Sequence, residues 1–551
     1  MLCRTFAGLA ASLAFAAGAA AQPPAVASIQ AQDIAQHIKV LASDKFGGRA
    51  PASEGERLTI DYIRDQLEQY GVKPGANGDW FQTVPLVKIT ADPDTTLTVA
   101  ADQAQLRFDY ANDMIVWTER EAKHVALKDS PLVFVGYGIV APEYDWNDYA
   151  GVDVHGKTVV ILVNDPGYAT RNPDLFTGRA MTYYGRWTYK YEEAARQGAA
   201  GALIIHETGP AGYPWKVVSG SWSGAQFMLP PEPDQYRPAV EGWLTRESAR
   251  QVVAAAGLDL GKLEEAAAQR GFQARPLALT ASVAFDNAIA HVKSHNVIGI
   301  IPGRERPDEA VIYSAHWDHF GTKPNKSGDN IYNGARDDAS GVAAMLDIAQ
   351  AFGRLDQRPA RSVLFLATTS EEQGLLGAKW YAAHPVVPLA KTVADLNLDI
   401  MNVWGKTHDI TVIGYGSSEL EDWLRRAAEQ QDRVLRPDPE PEKGFYFRAD
   451  HFAFAKHGVP ALFVEAGVDY LNHPAGWGLQ KEDAYTREHY HKPSDEFRDS
   501  WNLAGAAADA RLLFEVGEQL ADSHAWPKWY AGDQFKALRE KSAEARRGES
   551  Q

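Results

Sequence analysis

The chain has 551 residues, enough for two to four domains with substantial cores. Hydrophobic residues make up 45% and charged residues 23%, ordinary globular usage that argues against a disordered, collagen-like or coiled-coil chain. Acidic residues outnumber basic ones, 72 to 55, for a formal charge of -17, which disfavours a nucleic-acid partner.

The first 21 residues read as a signal peptide: Arg4 supplies a short positive region, a Leu/Ala/Phe run follows, and Ala19-Ala20-Ala21 offers a cleavage site. The expected mature chain is exported, periplasmic or secreted. The single cysteine, Cys3, lies in this segment, so the mature chain has no thiol or disulfide, and any metal site must use His and carboxylates. No later apolar run is long enough to span a bilayer, so no stable membrane insertion is expected.

Residues 22–124 read as the N-terminal part of a larger domain. Ile34, Ile38 and Leu41 predict one helix, and Ile60, Ile63, Leu67 and Tyr70 another, closed by Gly71. FGGRAPASEGE between them is a loop, and from about 80 to 120 the pattern is strand-like. Residues 125–285 have a different texture. PLVFVGYGIV and KTVVILVND read as strands, and YKYEEAARQGAAGALIIHE as a helix, a glycine turn and a strand. This stretch holds no cluster of metal-type ligands and reads as a separate module.

From 286 to 530 short apolar runs alternate with helical stretches, which predicts an α/β domain with a mixed, mostly parallel sheet flanked by helices. The stretch from Asn502 to about Arg547 reads as helical; residues 531–551 form a polar C-terminal tail, of which the last dozen residues are expected to fray.

The chemistry lies at the strand ends. VIYSA runs into His316 and Asp318, VLFLATTS into Glu371-Glu372, and VADLNL into Asp399. The loop NGARDDASG carries Asp337-Asp338 before a helix, and a late loop carries His489, Tyr490 and His491. Singly, each reads as a surface loop, a helix cap or a solvated charge pair. Together they place oxygen and imidazole donors at one edge of one sheet, where α/β proteins bind ligands. Burying that much negative charge calls for a compensating cation. Two His and three carboxylates are enough for two zinc ions sharing one carboxylate.

The ordered set His316-Trp317-Asp318, Asp337-Asp338-Ala339-Ser340-Gly341, Glu371-Glu372, Leu398-Asp399 and Tyr490-His491-Lys492-Pro493-Ser494-Asp495 resembles the M28 family of zinc-dependent aminopeptidases over roughly residues 290–520. Residues 125–285 are similar, more loosely, to a protease-associated (PA) domain, a smaller β-rich insert. The resemblance implies the zinc exopeptidase fold and two Zn2+ per chain. His316, Asp337 and Asp399 would hold one ion; Asp337, Glu372 and His491 the other, with a cis peptide at Asp337-Asp338. Asp318 would accept the far N–H of His316. Glu371 would be the general base for a metal-bridged hydroxide, and Tyr490 the oxyanion donor.

The implied activity is hydrolysis of N-terminal residues from peptides with a free amine. Glu372, Asp399 or Glu465 are candidates to hold that amine, while Asp450 and His451 read as supporting residues. The alternatives are a carboxypeptidase-like member, for which Arg336 and Arg448 would face a terminal carboxylate; a glutaminyl-cyclase-like member using one zinc; and a non-catalytic receptor-like scaffold. The intact five-donor set argues against the last two. Oligomeric state and side-chain preference are open on this reading.

Overall fold

The computed structural model describes residues 24–549 apart from 102–103, 232–234 and 324–327, so the expected signal segment lies outside the described residues. Two sheets share one long strand. In the first sheet, Arg361–Thr368, Arg306–His316, Thr392–Asn397 and Ala461–Ala466 run side by side and parallel. Antiparallel neighbours flank this centre: the second half of Arg275–Ile301 and then Phe81–Ala91 on one side, Asp409–Ile413 on the other. The sheet is thus mixed, with a parallel core.

The central strands are covered on both faces, and Arg361–Thr368 and Thr392–Asn397 are buried along their whole length. Alternate side chains serve opposite layers. Val311, Tyr313, Val363 and Phe365 pack beneath the helices Ala31–Leu41, Ala339–Gly353 and Ala504–Asp522. Ile312, Leu364 and Leu366 face Tyr381 and Phe454 on the other side.

The second sheet takes the first half of Arg275–Ile301, where Leu277, Leu279, Ala281, Val283 and Phe285 alternate inward. Its parallel strands His124–Phe134, Thr158–Leu162, Gly201–His206 and Val240–Thr245 lie in the predicted module. The strands Thr96–Ala101, Ala104–Asp109 and Met114–Trp117 join the same sheet, so it takes in chain from before residue 125. The helix Trp187–Arg196, the left-handed Gly198 and the following strand appear as their sequence predicts.

The polar C-terminal segment carries the helix expected up to about Arg547, and it is docked rather than loose. Lys536–Glu549 is a helix. The buried Arg539 donates to the carbonyls of Thr392 and Val393, and Arg546 lies over the Trp526 ring while donating to Ala390 O. Guanidinium groups that find carbonyls and an aromatic face dock a segment with little apolar surface.

Candidate metal centre

Parallel strands end at one edge, and the predicted donors meet there. His316 is the last residue of its strand, Glu371–Gln373 forms a short turn after Arg361–Thr368, and Asp399 follows Thr392–Asn397 by two residues. Asp337 precedes the helix Ala339–Gly353, across a cis Asp337-Asp338 peptide. His491 comes from the loop after the helix Trp477–Glu488.

The donors fall into two groups that share Asp337. His316 Nε2 lies 3.2 Å from Asp337 Oδ1 and 3.6 Å from Asp399 Oδ1. His491 Nε2 lies 3.3 Å from Asp337 Oδ2 and 3.1 Å from Glu372 Oε2. Donors bound tetrahedrally to one zinc at bonds of about 2.0–2.2 Å are spaced by roughly 3.3–3.6 Å. The four His–carboxylate distances, 3.1–3.6 Å, lie close to that spacing, and the two oxygens of Asp337 face different groups. Asp399 Oδ1 is buried without a hydrogen-bond partner, as a donor awaiting a cation would be. The residues present therefore fit a pair of divalent cations.

The surroundings hold the donors in place. His316 Nδ1 donates to the backbone carbonyl of Asp318 at 3.1 Å, which leaves Nε2 as the ligating nitrogen. The expected carboxylate contact differs: Asp318 Oδ1 sits 3.8 Å from that ring and accepts the backbone N–H of Glu371 at 2.9 Å. The carboxylate thus fixes the turn carrying the two glutamates, because the carbonyl of the same residue reaches the imidazole first. Asp495 accepts the backbone N–H groups of Arg336 and Asp337, each at 3.2 Å, and the Tyr485 hydroxyl at 3.0 Å. Asp338 caps the following helix through Gly341 N and also accepts Ile400 N.

The electrostatics follow from burial and the crowding of charge. Burial pushes Asp337 up, but bonds from His316 and His491 outweigh it and hold the carboxyl well below its usual range. Burial raises Glu371 well above a normal carboxylate, opposed by His316 and reinforced by the nearby charges of Glu372 and Asp399. Burial likewise raises Asp318 to about 7. His491 is lowered by burial and raised by Glu372 and Asp337, ending at about 9.

Glu371 Oε2 is 3.8 Å from His316 Nε2, beside the donors without being among the close pairs. Tyr490 stacks on the His491 ring at 3.8 Å, and its oxygen accepts from Arg448 Nη2 at 2.9 Å, which leaves the phenolic hydrogen free to donate. Arg336 is committed elsewhere: it pairs with both oxygens of Glu482, at 2.7 and 2.8 Å, between the rings of Trp404 and Tyr485. Asp450 bonds Thr368 Oγ1, and the buried His451 packs on Phe463 and Tyr446, in the supporting roles read for them. Glu465 lines the cleft near Asp399.

Three residues at the site were not anticipated. His319 is buried beside Glu372 and Asp337. Ser221 Oγ, at the end of the helix Trp215–Ser221 in the second unit, lies 3.0 Å from His491 Nδ1. Arg186, from the same unit, lines the cleft beside Arg448, is only 7% exposed, and makes no ion pair among the described residues. The second imidazole in His316-Trp317-Asp318-His319 was a usable signal for the first. Ser221 and Arg186 arrive by docking between units, which has no local signature.

Residues 296–514 match the family model for Peptidase family M28. This segment belongs to peptidase family M28. The mouse (Mus musculus) aminopeptidase NAALADL1 is 34% identical over 130 residues, 23% of this chain and 16% of that one. A probable glutamate carboxypeptidase of Arthroderma benhamiae (strain ATCC MYA-4681 / CBS 112371) is 28% identical over 210 residues, 34% of this chain and 26% of that one. The matches thus span about a quarter or less of these relatives' own length. An aminopeptidase from Aneurinibacillus sp. strain AM-1 has a similar fold, with a TM-score of 0.55 at 19% identity, covering 91% of this chain and 96% of that one. Among the described residues no helix is long and apolar enough to cross a membrane. The M28 segment contains every predicted donor, and the cleft above them takes one wall from the second unit.

Proposed function

We propose that this chain is a two-zinc exopeptidase that removes N-terminal residues from peptides, and that it acts outside the cytoplasm after export. The observation that carries the reading is the pair of donor groups sharing the two oxygens of Asp337. His316, Asp337 and Asp399 would hold one ion, and Asp337, Glu372 and His491 the other. When bound, such a pair supplies Lewis acidity and lowers the pKa of a coordinated water.

The chain's own residues do the rest. Glu371, desolvated beside the donors, takes the proton of the attacking water and passes it to the leaving amine. Tyr490, whose oxygen already accepts from Arg448, turns its O–H toward the developing oxyanion. The spare carboxylate capacity of Glu372 and Asp399, with Glu465 on the adjoining wall, suits a substrate ammonium.

A second reading, a carboxypeptidase, is favoured by one observation. Arg186 and Arg448 stand together in the cleft, and burial with mutual repulsion pushes Arg186 down to about 10. That pair suits a substrate carboxylate. A panel of aminoacyl-anilides, their N-blocked counterparts and C-terminally amidated peptides, each run with and without chelator, separates the readings. The aminopeptidase reading expects chelator-sensitive cleavage that requires a free amine. Equal rates on blocked substrates, with loss on amidation, would replace it by the second.

A further inference from the structure

We infer that the cleft beside Asp399 forms a pocket for the side chain of the substrate's first residue, and that it selects a basic one, lysine or arginine; this names a substrate class within the aminopeptidase reading above and rests on it. Strand register places the pocket. Asn397 pairs with Phe463, so Glu465 reaches the sheet edge one strand over from Asp399. Thr411, directly opposite Glu465, lies two strands over. Neighbouring strands are about 4.8 Å apart. Directly opposed residues, and residues two apart on one strand, share a face of the sheet. Phe463, Glu465 and Thr411 thus point to one side, and all three line the cleft. Val412 and Val464 fill the core on the other side.

The lining is of two kinds. Phe463 packs with Phe445 and Ala449, and these make an apolar wall. Glu465, Thr411 and Asp438 make a polar one. Thr411 is 2% exposed, and its hydroxyl has no hydrogen-bond partner among the described residues. A buried polar group in that condition points to a ligand or water that meets it.

The charge of the polar wall is not neutralised from within. The cations that act on Glu465 are committed elsewhere, Arg336 to both oxygens of Glu482 and Arg448 to the Tyr490 oxygen. Lys443, which acts on Asp438, is held by Glu440 at 2.8 Å and Asp483 at 3.3 Å. Burial holds Glu465 well above the usual carboxylate range, with Asp438, Glu482 and Asp399 adding to it and Arg336 opposing. An entering ammonium or guanidinium supplies the missing counter-charge. Lysine and arginine bury their carbon stems on apolar surface and carry a cationic head, which matches the two walls. The α-ammonium stays with Asp399 and Glu372.

The test ranks first residues by kcat/KM on the full-length zinc-loaded protein, with aminoacyl-anilides of lysine, arginine, norleucine, tyrosine and glutamate. Norleucine keeps the lysine stem without its ammonium. Lysine and arginine should lead norleucine by about 10–100-fold, the worth of one hydrogen bond to a charged group. This ranking depends on no variant. Glu465→Gln should bring the lysine-to-norleucine ratio close to one, and Thr411→Val should lower it by a smaller factor. A wild-type chain that cleaves norleucine or tyrosine as fast as lysine overturns the assignment. So does a Glu465→Gln chain that slows lysine and norleucine alike, the result expected if Glu465 held the α-ammonium instead. Failure to cleave any free-amine anilide in a chelator-sensitive way removes the aminopeptidase reading beneath it.

Discussion

Removing the Ser221 hydroxyl tests whether the second unit helps to build the metal centre. Ser221 Oγ is 3.0 Å from His491 Nδ1, and the opposite nitrogen of that ring faces Asp337 and Glu372 at 3.3 and 3.1 Å. With Nε2 engaged by a cation, Nδ1 carries the hydrogen and donates to the serine. This bond sets the tautomer and the tilt of the ring. The serine is itself well placed: Val217 and Val218 of its helix are buried in the second unit's core, and Lys323 Nζ grips the Gly220 carbonyl from the M28 side. Loss of such a partner lowers metal affinity about 10–100-fold, or about 1.4–2.7 kcal/mol.

Ser221→Ala should therefore weaken one of two zinc ions by that factor, leave the other unchanged, and preserve the fold by circular dichroism. Ser221→Thr should restore most of the affinity. The assay is competition with a fluorescent zinc chelator at fixed pH. An alanine variant within about twofold of wild type, when His491→Ala has lost the same ion, would refute the coupling.

Glu371→Gln should keep full zinc content and lose about 10²–10⁴-fold in turnover on an aminoacyl-anilide, since it removes the proton acceptor without touching a donor. Asp337→Ala should lose metal as well as activity, and an active variant would remove the shared role of that carboxylate. Away from the site, Asp347 has its carboxyl raised to about 8 by burial, opposed by the Gln30 N–H. The folded chain then binds a proton that the unfolded chain, with a carboxyl pKa of about 3.9, does not bind between those values. Stability from this group is complete below about pH 4 and falls as pH rises toward 8. Asp347→Asn should therefore gain in melting temperature relative to wild type between pH 5 and 8, and identical pH slopes would contradict the assignment.

Much of the site was readable because its donors end regular elements. Apolar runs such as VIYSA and VLFLATTS place their strands, parallel pairing brings the strand ends to one edge, and His316, Glu371-Glu372 and Asp399 follow at once. Asp337 was accessible through the helix its neighbour caps. What escaped depends on approach between distant segments. Ser221 and His491 are 270 positions apart, and Arg186 gains its place only when the second unit settles over the cleft. His319 lies just beyond its strand and is packed against Gly334 and His491, which come from later loops. The anchoring of the C-terminal helix escaped for a related reason: Arg539 and Arg546 hold it through carbonyls, which leave no hydrophobic pattern to read.

The central claim is that five or more side chains drawn from distant parts of the sequence hold two cations through one shared aspartate. Native mass spectrometry of the zinc-reconstituted chain reads this directly. The account predicts two zinc ions per chain in the wild type, one in Asp399→Asn, and none retained in Asp337→Ala. A fully active wild-type chain carrying a single ion, or an Asp337→Ala chain that still carries two, would contradict it.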